Sequence, residues 1–356
     1  MSNNYFKRVS QLTPTKFWIN NVTREEARLA IEAGAVGCTQ NPSYTWKMLT
    51  HPGEGSYTAE LLRQALLESS DDNEVECILQ RKLVKGIAEI FRPLYENSHG
   101  EHGYVSIQGD PIHEEDPEVI IQEGRLNREM GPNVMIKIPA TKAGLAAMDV
   151  LISENTPINA TEVMGLSQAL EICRMYERIS GRTGRKPKIY YSLITGIYDE
   201  YLHRWVKEQG IDVSSDLLFI AGLAIAKKTY EITKARWPDI GFIGGGVRGL
   251  QHYTEMVGAD VCITMNWQGQ AEELLRLNQP VVSRFFNPVP TLFVDELLEQ
   301  VTEFARAYNA NGLTVEEFEV YGPVEYFRHM FIEAWLHAVQ HIKKARTESE
   351  PSLTRK

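Results

Sequence analysis

The sequence predicts an α/β protein with the architecture of a (β/α)8 TIM barrel and extra C-terminal helices. Eight short apolar runs alternate with longer helical segments. Strands that alternate with helices form a parallel sheet, and eight such units close into a barrel. An open doubly wound sheet is the alternative, but no Gly-x-Gly-x-x-Gly turn follows an early strand. The 356 residues, 43% of them hydrophobic, suit a large buried core.

The predicted strands are short, apolar and bounded by polar or turn-forming residues. In chain order they are residues 16–20, 36–39, 104–108, 134–138, 157–160, 188–192, 241–244 and 260–265. Helical periodicity fills the intervals between them. The predicted helices are residues 24–33, 59–94 (as two helices), 117–130, 143–154, 163–179, 197–209 with 215–236, 250–257 and 268–277.

After Asn278 the alternation of predicted strands and helices ends. Pro280, Pro288 and Pro290 precede two long helical patterns, at residues 293–308 and 324–344. We therefore assign residues 1–278 to the barrel, 279–346 to a helical extension packed on it, and 347–356 to a mobile tail. The apolar and aromatic stripe of residues 326–341 predicts either a cover over the barrel mouth or a subunit interface in a homo-oligomer.

Charge and composition exclude several classes of protein. The net charge of −10 argues against binding of nucleic acid. No apolar run reaches the roughly 18 residues that span a membrane, and the N-terminus has no apolar signal core. The four cysteines are far apart and show no zinc spacing, which favours a reduced, cytoplasmic protein.

One acidic cluster, His113-Glu114-Glu115-Asp116, contains residue types that bind metals. Adjacent residues do not converge on one ion as spaced ligands do. We interpret the cluster as the acidic first turn of a helix that begins near Pro117, where negative charge stabilises the helix dipole. We expect no metal and no other cofactor.

Lys137 is the most unusual residue of the predicted strands. It lies within the apolar run Val134-Met135-Ile136-Lys137-Ile138, where burial would remove water from its ammonium group. Desolvation lowers a lysine pKa by as much as about 3–5 units, and a neutral lysine forms Schiff bases with carbonyl compounds. The alternative is a strand-end lysine that reaches solvent or pairs with a carboxylate.

Active sites of this fold lie at the carboxyl ends of the strands. The sequence places mainly amides and hydroxyls there, and no histidine, which argues against a two-histidine metal site and against an imidazole base. The polar residues at these ends are Asn20, Thr39, Asn41, Gln108, Asp110, Lys137, Thr141, Asn159, Thr161, Ser192, Arg248 and Asn266.

Four blocks of the chain resemble the transaldolase family of class I aldolases, over about residues 17–265. The block Lys-Ile-Pro-Ala-Thr-x-x-Gly, which starts at Lys137, is fairly specific for that family. It occurs in register with an upstream Asn-Pro-Ser and a downstream Asn-x-Thr. The presence of these two motifs favours a catalytic over a structural role for the lysine. The blocks are Phe17-Trp18-Ile19-Asn20, Gly37-Cys38-Thr39-Gln40-Asn41-Pro42-Ser43, residues 134–144, and Ile158-Asn159-Ala160-Thr161.

The resemblance implies a reaction and its partners. Lys137 forms an imine with a ketose carbonyl, the bond between C3 and C4 breaks, and the three-carbon enamine passes to an aldehyde acceptor. Thr161 holds the water that moves protons while the imine forms. Small ketoses and aldehydes, with or without phosphate, are the expected partners. The implied substrate-binding residues are Thr39, Asn41, Asn159, Ser192 and, for a phosphate, Arg248.

Each implied role has a structural alternative. Asn41 precedes Pro42, and this pair is common in turns. Asn159 and Thr161 could cap a helix that begins near residue 163. Arg248 could be a surface residue at the start of a helix.

The chain departs from the family at two carboxylates. Transaldolases proper have an aspartate at the end of the first strand, which takes the C4 hydroxyl proton, and a glutamate at the end of the third, which orients the catalytic water. Here Asn20 and Gln108 occupy those catalytic positions, and an amide cannot accept a proton at neutral pH. The candidate substitutes are Asp110, on the strand face of Gln108, and the tyrosines Tyr190, Tyr191 and Tyr198. Asp110 could equally be a loop residue before Pro111, and core packing is the expected role of at least one of Tyr190 and Tyr191.

A second departure concerns phosphate. Ile197 stands where members of the family often carry an arginine, five residues after the serine of strand six. Either the substrate lacks phosphate, or Lys142 or Arg284 binds it. Three functions therefore remain open: a transaldolase, an aldolase that cleaves or condenses without transfer, and a catalytically silent protein that binds a sugar.

Overall fold

The computed structural model describes residues 3–349 and has a closed barrel of eight parallel strands in the order β1 to β8. The predicted (β/α)8 architecture with added C-terminal helices is confirmed. The first and last strands pair from Lys16–Cys262 to Asn20–Asn266 and close the barrel. The strands are β1 (Lys16–Asn20), β2 (Ala35–Gln40), β3 (Tyr104–Gln108), β4 (Val134–Pro139), β5 (Ile158–Val163), β6 (Ile189–Leu193), β7 (Gly241–Gly244) and β8 (Cys262–Asn266).

The helices lie around this barrel and continue beyond its last strand. Up to β8 they are α1 (Tyr5–Leu12), α2 (Arg24–Ala33), α3 (Tyr44–Thr50), α4 (Gly55–Glu68), α5 (Asp72–Asn97), α6 (Pro117–Arg128), α7 (Lys142–Ser153), α8 (Leu166–Thr183), α9 (Thr195–Gln209), α10 (Ser215–Arg236) and α11 (Gln251–Thr254). After β8 a π-helical turn, Trp267–Ala271, leads into α12 (Glu272–Leu277), α13 (Thr291–Gln300), α14 (Thr302–Tyr308) and α15 (Gly322–Ser349).

Local sequence explains where several elements begin and end. Thr23 and Glu26 form a capping box at the start of α2, and Gly34 ends that helix in the left-handed conformation. Thr141 accepts a hydrogen bond from the Gly144 amide and caps α7, directly after the strand that carries the lysine.

The structure departs from the sequence-based bounds in several places. Helices α1 and α3 were not predicted, and the pattern at 293–308 is divided between α13 and α14. The most consequential difference is at β5, which was predicted to end at residue 160 and continues to Val163. Residues 347–349 of the predicted tail belong to α15, and the rest of that tail lies outside the described residues.

Apolar side chains fill the lower part of the barrel. They come from six strands and form one cluster, which consists of Trp18, Tyr104, Met135, Tyr190, Ile243 and Cys262. Because inward-facing residues alternate along a strand, the next inward position on β4 after Met135 is Lys137. The lysine therefore stands immediately above an apolar layer.

The close approach of β1 and β2 depends on a glycine. The Trp18 ring covers Gly37, so that a Cβ at position 37 would lie 2.2 Å from a ring atom. The same indole packs against Tyr190, with the ring centroids 5.4 Å apart. A residue without a side chain at position 37 is thus a condition for filling the barrel interior.

The last helix, α15, packs against α3, α5 and α9 and reaches the end of β5. The Trp335 Nε1–H group donates to Asn73 Oδ1 at 2.7 Å, and Arg346 forms an ion pair with Asp72 at 2.8 Å. Side chains of this helix lie over the barrel mouth, as one of the two predicted roles of the stripe requires, and the subunit interface stays a prediction. None of the helices among residues 3–349 has the length and apolar content needed to cross a membrane.

We expect Gly37→Ala to lower the stability of the fold by about 1–3 kcal/mol, the usual cost of overpacking a filled core. Urea or thermal unfolding followed by circular dichroism measures the change. Gly181→Ala in α8 is the matched control, because a Cβ there meets no atom within 4 Å. Equal stability of the two variants would contradict the packing argument.

Candidate active site

A cavity of about 210 Å³ opens at the carboxyl ends of the strands, above Lys137. Polar residues from the strand ends form its floor and walls, and Phe327, Met330 and Phe331 of α15 cover it. No acidic residue lines it within the described part of the chain. The polar lining consists of Asn20, Asn21, Thr39, Asn41, Ser43, Lys137, Thr161, Ser192, Arg248, Thr264 and Asn266.

Lys137 is buried, with 5% of its surface exposed. Burial lowers the pKa of its ammonium group to about 8, although Glu162 and Glu114 nearby favour the charged form. The Nζ atom donates a hydrogen bond to Asn41 Oδ1 and lies 5.6 Å from the centre of the Phe331 ring. The alternative of a lysine that reaches solvent is thus wrong for this structure.

An amide network holds the residues on the β1–β2 side of the cavity. Asn20 Oδ1 accepts from Thr39 Oγ1 at 2.8 Å and from Asn41 Nδ2 at 3.2 Å. Its Nδ2 group donates to Asn266 Oδ1 at 2.9 Å. Asn20 therefore orients Asn41, whose oxygen is left to accept from the lysine, and a carboxylate at position 20 could not donate to Asn266.

A second network lies on the β5–β6 side. Ser192 Oγ donates to Asn159 Oδ1 at 2.7 Å, and Asn159 Nδ2 donates to Ser106 Oγ at 3.3 Å. The Thr161 hydroxyl is buried, faces the cavity and has no hydrogen-bond partner in the structure. The helix-capping alternative for Asn159 and Thr161 is wrong, because both lie within β5 and the next helix is capped at Gly165.

Glu162, the next-to-last residue of β5, is a site residue that the sequence did not predict. The β5–β6 register shifts by one residue between Ala160 and Val163, so that β5 carries a bulge there. Glu162 adopts a positive φ of 58° in this bulge and is fully buried. Gln108 Nε2 donates to Glu162 Oε1 at 2.8 Å, which joins a predicted site residue to an unpredicted carboxyl group. A bulge has no periodic signal in sequence that could have revealed it.

A buried ion pair lies beside this carboxyl group. Arg328 of α15 contacts Glu114, and both side chains are at least nine-tenths buried. The prediction that Glu114 belongs to the acidic first turn of a helix is wrong, because α6 begins at Pro117 and Asp116 caps it. Burial raises the pKa of Glu114 well above its usual range, and Glu162 adds to this effect. No group of three or more possible metal ligands occurs among residues 3–349.

The proposed substitutes for the missing carboxylates lie elsewhere. Asp110 binds Asn73 Nδ2 and His113 Nδ1, at 2.7 and 2.6 Å, and does not line the mouth cavity. Tyr190 belongs to the apolar layer below the lysine. The Tyr191 hydroxyl contacts Thr233, and the Tyr198 hydroxyl donates to the Glu303 carbonyl. These four assignments are corrected by the side-chain packing.

Arg248 lies at the rim of the cavity and is already paired. Its guanidinium contacts Glu200 of α9, and the Tyr326 hydroxyl of α15 donates to the same carboxylate. Neither Lys142 nor Arg284 lines the cavity. The possibility that one of them replaces the missing phosphate arginine is therefore not supported by their positions.

A larger cleft of about 920 Å³ lies at the opposite, amino-terminal end of the barrel. Ion pairs join parts of its lining, Lys188 to Glu101 at 2.8 Å and Lys234 to Asp260 at 3.2 Å. Lys137 does not reach it. Because residues at this end of the fold serve stability rather than catalysis, we place the candidate active site in the smaller cavity at the mouth.

The chain forms a (β/α)8 barrel with a cavity above a buried lysine at its mouth. A family model described as transaldolase/fructose-6-phosphate aldolase matches residues 17–310. The chain therefore belongs to the transaldolase/fructose-6-phosphate aldolase family, as the sequence motifs predicted.

Individual relatives are distant. Transaldolase 1 of Streptomyces avermitilis is 31% identical over 228 residues, which cover 60% of this chain and 60% of that protein. The transaldolase of Thiobacillus denitrificans is 27% identical over 263 residues, 70% of this chain and 72% of that protein. The transaldolase of Thermobifida fusca is 25% identical over 250 residues, 64% and 66% of the two chains. The matched part of this chain therefore spans less than two thirds of the length of the Streptomyces protein.

The rate at which a small amine-reactive compound such as cyanate modifies Lys137 should rise with pH, with a midpoint at about 8. Only the neutral amine is nucleophilic, and the pKa of Lys137 is lowered to about 8. Short pulses of labelling at increasing pH, followed by peptide mass spectrometry, measure this midpoint. The exposed Lys142 is the internal reference in each digest. A midpoint for Lys137 near the ordinary lysine value of about 10.4 would contradict the effect of burial.

Proposed function

We propose that this protein is a transaldolase that forms a Schiff base between Lys137 and a ketose and transfers a three-carbon unit to an aldehyde. The observation that carries the proposal is the buried Lys137, whose pKa is lowered to about 8 at the mouth of the barrel. At pH 7 roughly one molecule in ten then has the neutral amine. Family membership supports the same chemistry.

The reaction begins when the neutral Nζ attacks the ketose C2 and water leaves. The resulting iminium withdraws electrons, so that the C3–C4 bond breaks and its electron pair forms an enamine on the lysine. The C4 hydroxyl loses its proton and leaves as part of an aldehyde. Asn41, which contacts Nζ, is suited to orient the amine and then a donor hydroxyl.

Polar groups around the lysine are suited to bind the donor. Ser192 and Asn159 form a connected pair beside it. The unpartnered Thr161 hydroxyl supports its proposed role in holding the water that leaves and returns at C2. Asn20, Thr39 and Gln108 serve as supports of these groups. Asn20 accepts a hydrogen bond from Asn41, and Thr39 donates one to Asn20. Gln108 donates to the buried carboxyl group near the lysine.

The cover of α15 favours transfer over simple cleavage. Phe327, Met330 and Phe331 enclose the lysine side of the cavity. An enamine sheltered from water by apolar side chains is protonated less readily and persists until an aldehyde arrives. A protein that only binds a sugar would have no use for a lysine with a lowered pKa.

The charge at the rim favours a ketose without a phosphate group. The Glu200 carboxylate occupies Arg248, and a phosphate at that place would meet a like charge. Apart from Arg248 and Lys137, no cationic residue of the described chain lines the cavity. We therefore propose an unphosphorylated ketose as the donor.

Borohydride reduction in the presence of fructose or dihydroxyacetone should leave a mass adduct on Lys137, because reduction converts the imine into a stable amine. Lys137→Arg should abolish the adduct, and Lys142→Arg, a change at an exposed residue, should not. Absence of an adduct with every ketose tested would overturn the proposal and favour a silent binding protein. Release of dihydroxyacetone from fructose at the same rate with and without an added aldehyde would identify an aldolase instead of a transaldolase.

Glu200→Gln should raise the ratio of kcat/KM for fructose 6-phosphate to that for fructose by about tenfold, roughly 1.4 kcal/mol. The change frees Arg248 and removes the opposing charge, and partial solvent exposure limits the effect. Glu208→Gln on the same helix, which breaks the exposed pair with Arg204, is the matched control. An unchanged ratio in Glu200→Gln would contradict the assigned role of Glu200.

A further inference from the structure

Glu162 has a conformation and a burial that ordinary strand residues avoid. Its φ is positive, and such strain in a residue other than glycine persists where the surroundings enforce it, most often at functional sites. The bulge that creates it re-aims the side chain. Without the bulge, Glu162 would point away from the barrel axis, opposite to Thr161; with it, the carboxyl group meets the inward-facing Gln108.

Three charged residues from different elements surround this carboxyl group. Lys137 of β4, Arg328 of α15 and Glu114 of the segment before α6 all interact with it electrostatically. Burial raises the pKa of Glu162, while Arg328, the Gln108 hydrogen bond and Lys137 act in the opposite direction. Its second oxygen, Oε2, is buried and has no hydrogen-bond partner. The carboxyl group thus has one oxygen held by Gln108 and a second oxygen free to give or take a proton.

No other carboxyl group of the described chain is so placed. The cavity itself has no acidic lining residue. Glu114 is engaged with Arg328, and Glu200 with Arg248, at the rim. Glu162 also has an oxygen without a hydrogen-bond partner, and unlike Glu114 and Glu200 it forms no ion pair with an arginine of the described residues. A reaction that must take and return protons at the lysine therefore has one nearby carboxyl group with a free oxygen and no ion pair.

We propose that Glu162 is the proton-transfer group for Lys137 and acts through a water molecule held by the adjacent Thr161. The proposal rests on the Schiff-base function given above. Nothing in the sequence motifs of the chain assigns a role to this residue, and the carboxyl groups absent from the ends of β1 and β3 are replaced from β5. Gln108, Arg328 and Glu114 are then positioning residues, which hold the carboxyl group and balance its charge.

The protons balance over the proposed steps, because Glu162 gives up one proton and takes one back. Attack of neutral Nζ on C2 gives a carbinolamine after proton transfer from nitrogen to the C2 oxygen. The protonated Glu162 gives its proton through the water to the C2 hydroxyl, the C–O bond breaks, water leaves, and the iminium remains with a Glu162 carboxylate. The carboxylate then takes the C4 hydroxyl proton through the same water while the C3–C4 electron pair moves to the iminium. Glu162 is again protonated when the aldehyde departs.

The test measures the rate of borohydride trapping with dihydroxyacetone as a function of pH, in the full-length protein and in Glu162→Gln. The glutamine keeps an oxygen that can accept from Gln108 but carries no transferable acid proton. We expect a fall in the maximal rate of about 100-fold or more, within the range of general acid–base catalysis. We also expect loss of the alkaline decline that the wild type shows as Glu162 gives up its proton.

Two further variants make the result decisive. Glu162→Asp retains the carboxyl group on a shorter side chain, so it should recover part of the rate and the alkaline decline. If the glutamine variant does not fold, the rate and pH profile of the aspartate variant provide the test. Glu76→Gln removes another fully buried glutamate, from α5 outside the cavity, and should leave both unchanged. Melting curves of all variants report folding.

The outcomes separate this inference from the function on which it rests. Normal trapping by the wild type, with the same maximal rate or the same pH profile in Glu162→Gln, would overturn the role of Glu162 and leave the Schiff-base function intact. Equal rates and profiles for the aspartate and glutamine variants would likewise reduce Glu162 to a structural role. A wild type that gives no adduct on Lys137 would overturn both.

Discussion

The structure depends on the burial of one ammonium group above an apolar layer. Trp18, Tyr104 and Tyr190 fill the barrel below Lys137, and α15 covers it from above. Water can solvate the amine only within a small cavity, so its charged form is disfavoured and its pKa falls to about 8. The neighbouring amides accept or orient a neutral amine without supplying the negative charge that would restore its usual basicity.

Negative charge is kept near the lysine but outside the cavity wall. Amides and hydroxyls form the lining, whereas Glu162, Glu114 and Glu200 lie behind it or at the rim, each next to an arginine or an amide donor. The cavity thus offers hydrogen-bonding groups without a negative charge among its described lining residues. The carboxyl groups interact electrostatically with the lysine. Each carboxyl group has a partner that compensates its charge.

Local patterns in the sequence were sufficient to predict the barrel and most of its mouth. The eight strands, Lys137 and its amide neighbours follow from short apolar runs and from the rule that active sites lie at strand ends. Glu162 could not be predicted, because period-two alternation places it outside the barrel and the bulge that reverses it leaves no trace in hydrophobicity. The pairing of Arg328 with Glu114 and of Glu200 with Arg248 depends on contacts between distant segments, which composition and spacing do not encode.

The position of α15 after all eight strands has a consequence for synthesis. Domains form from the amino-terminal side as the ribosome extends the chain, so all eight strands emerge before Phe331 and Arg328 do. Until then Lys137 is open to water and the carboxyl groups of Glu114 and Glu162 lack their arginine. The lowered pKa of the amine therefore arises only after α15 has emerged and packed over the lysine.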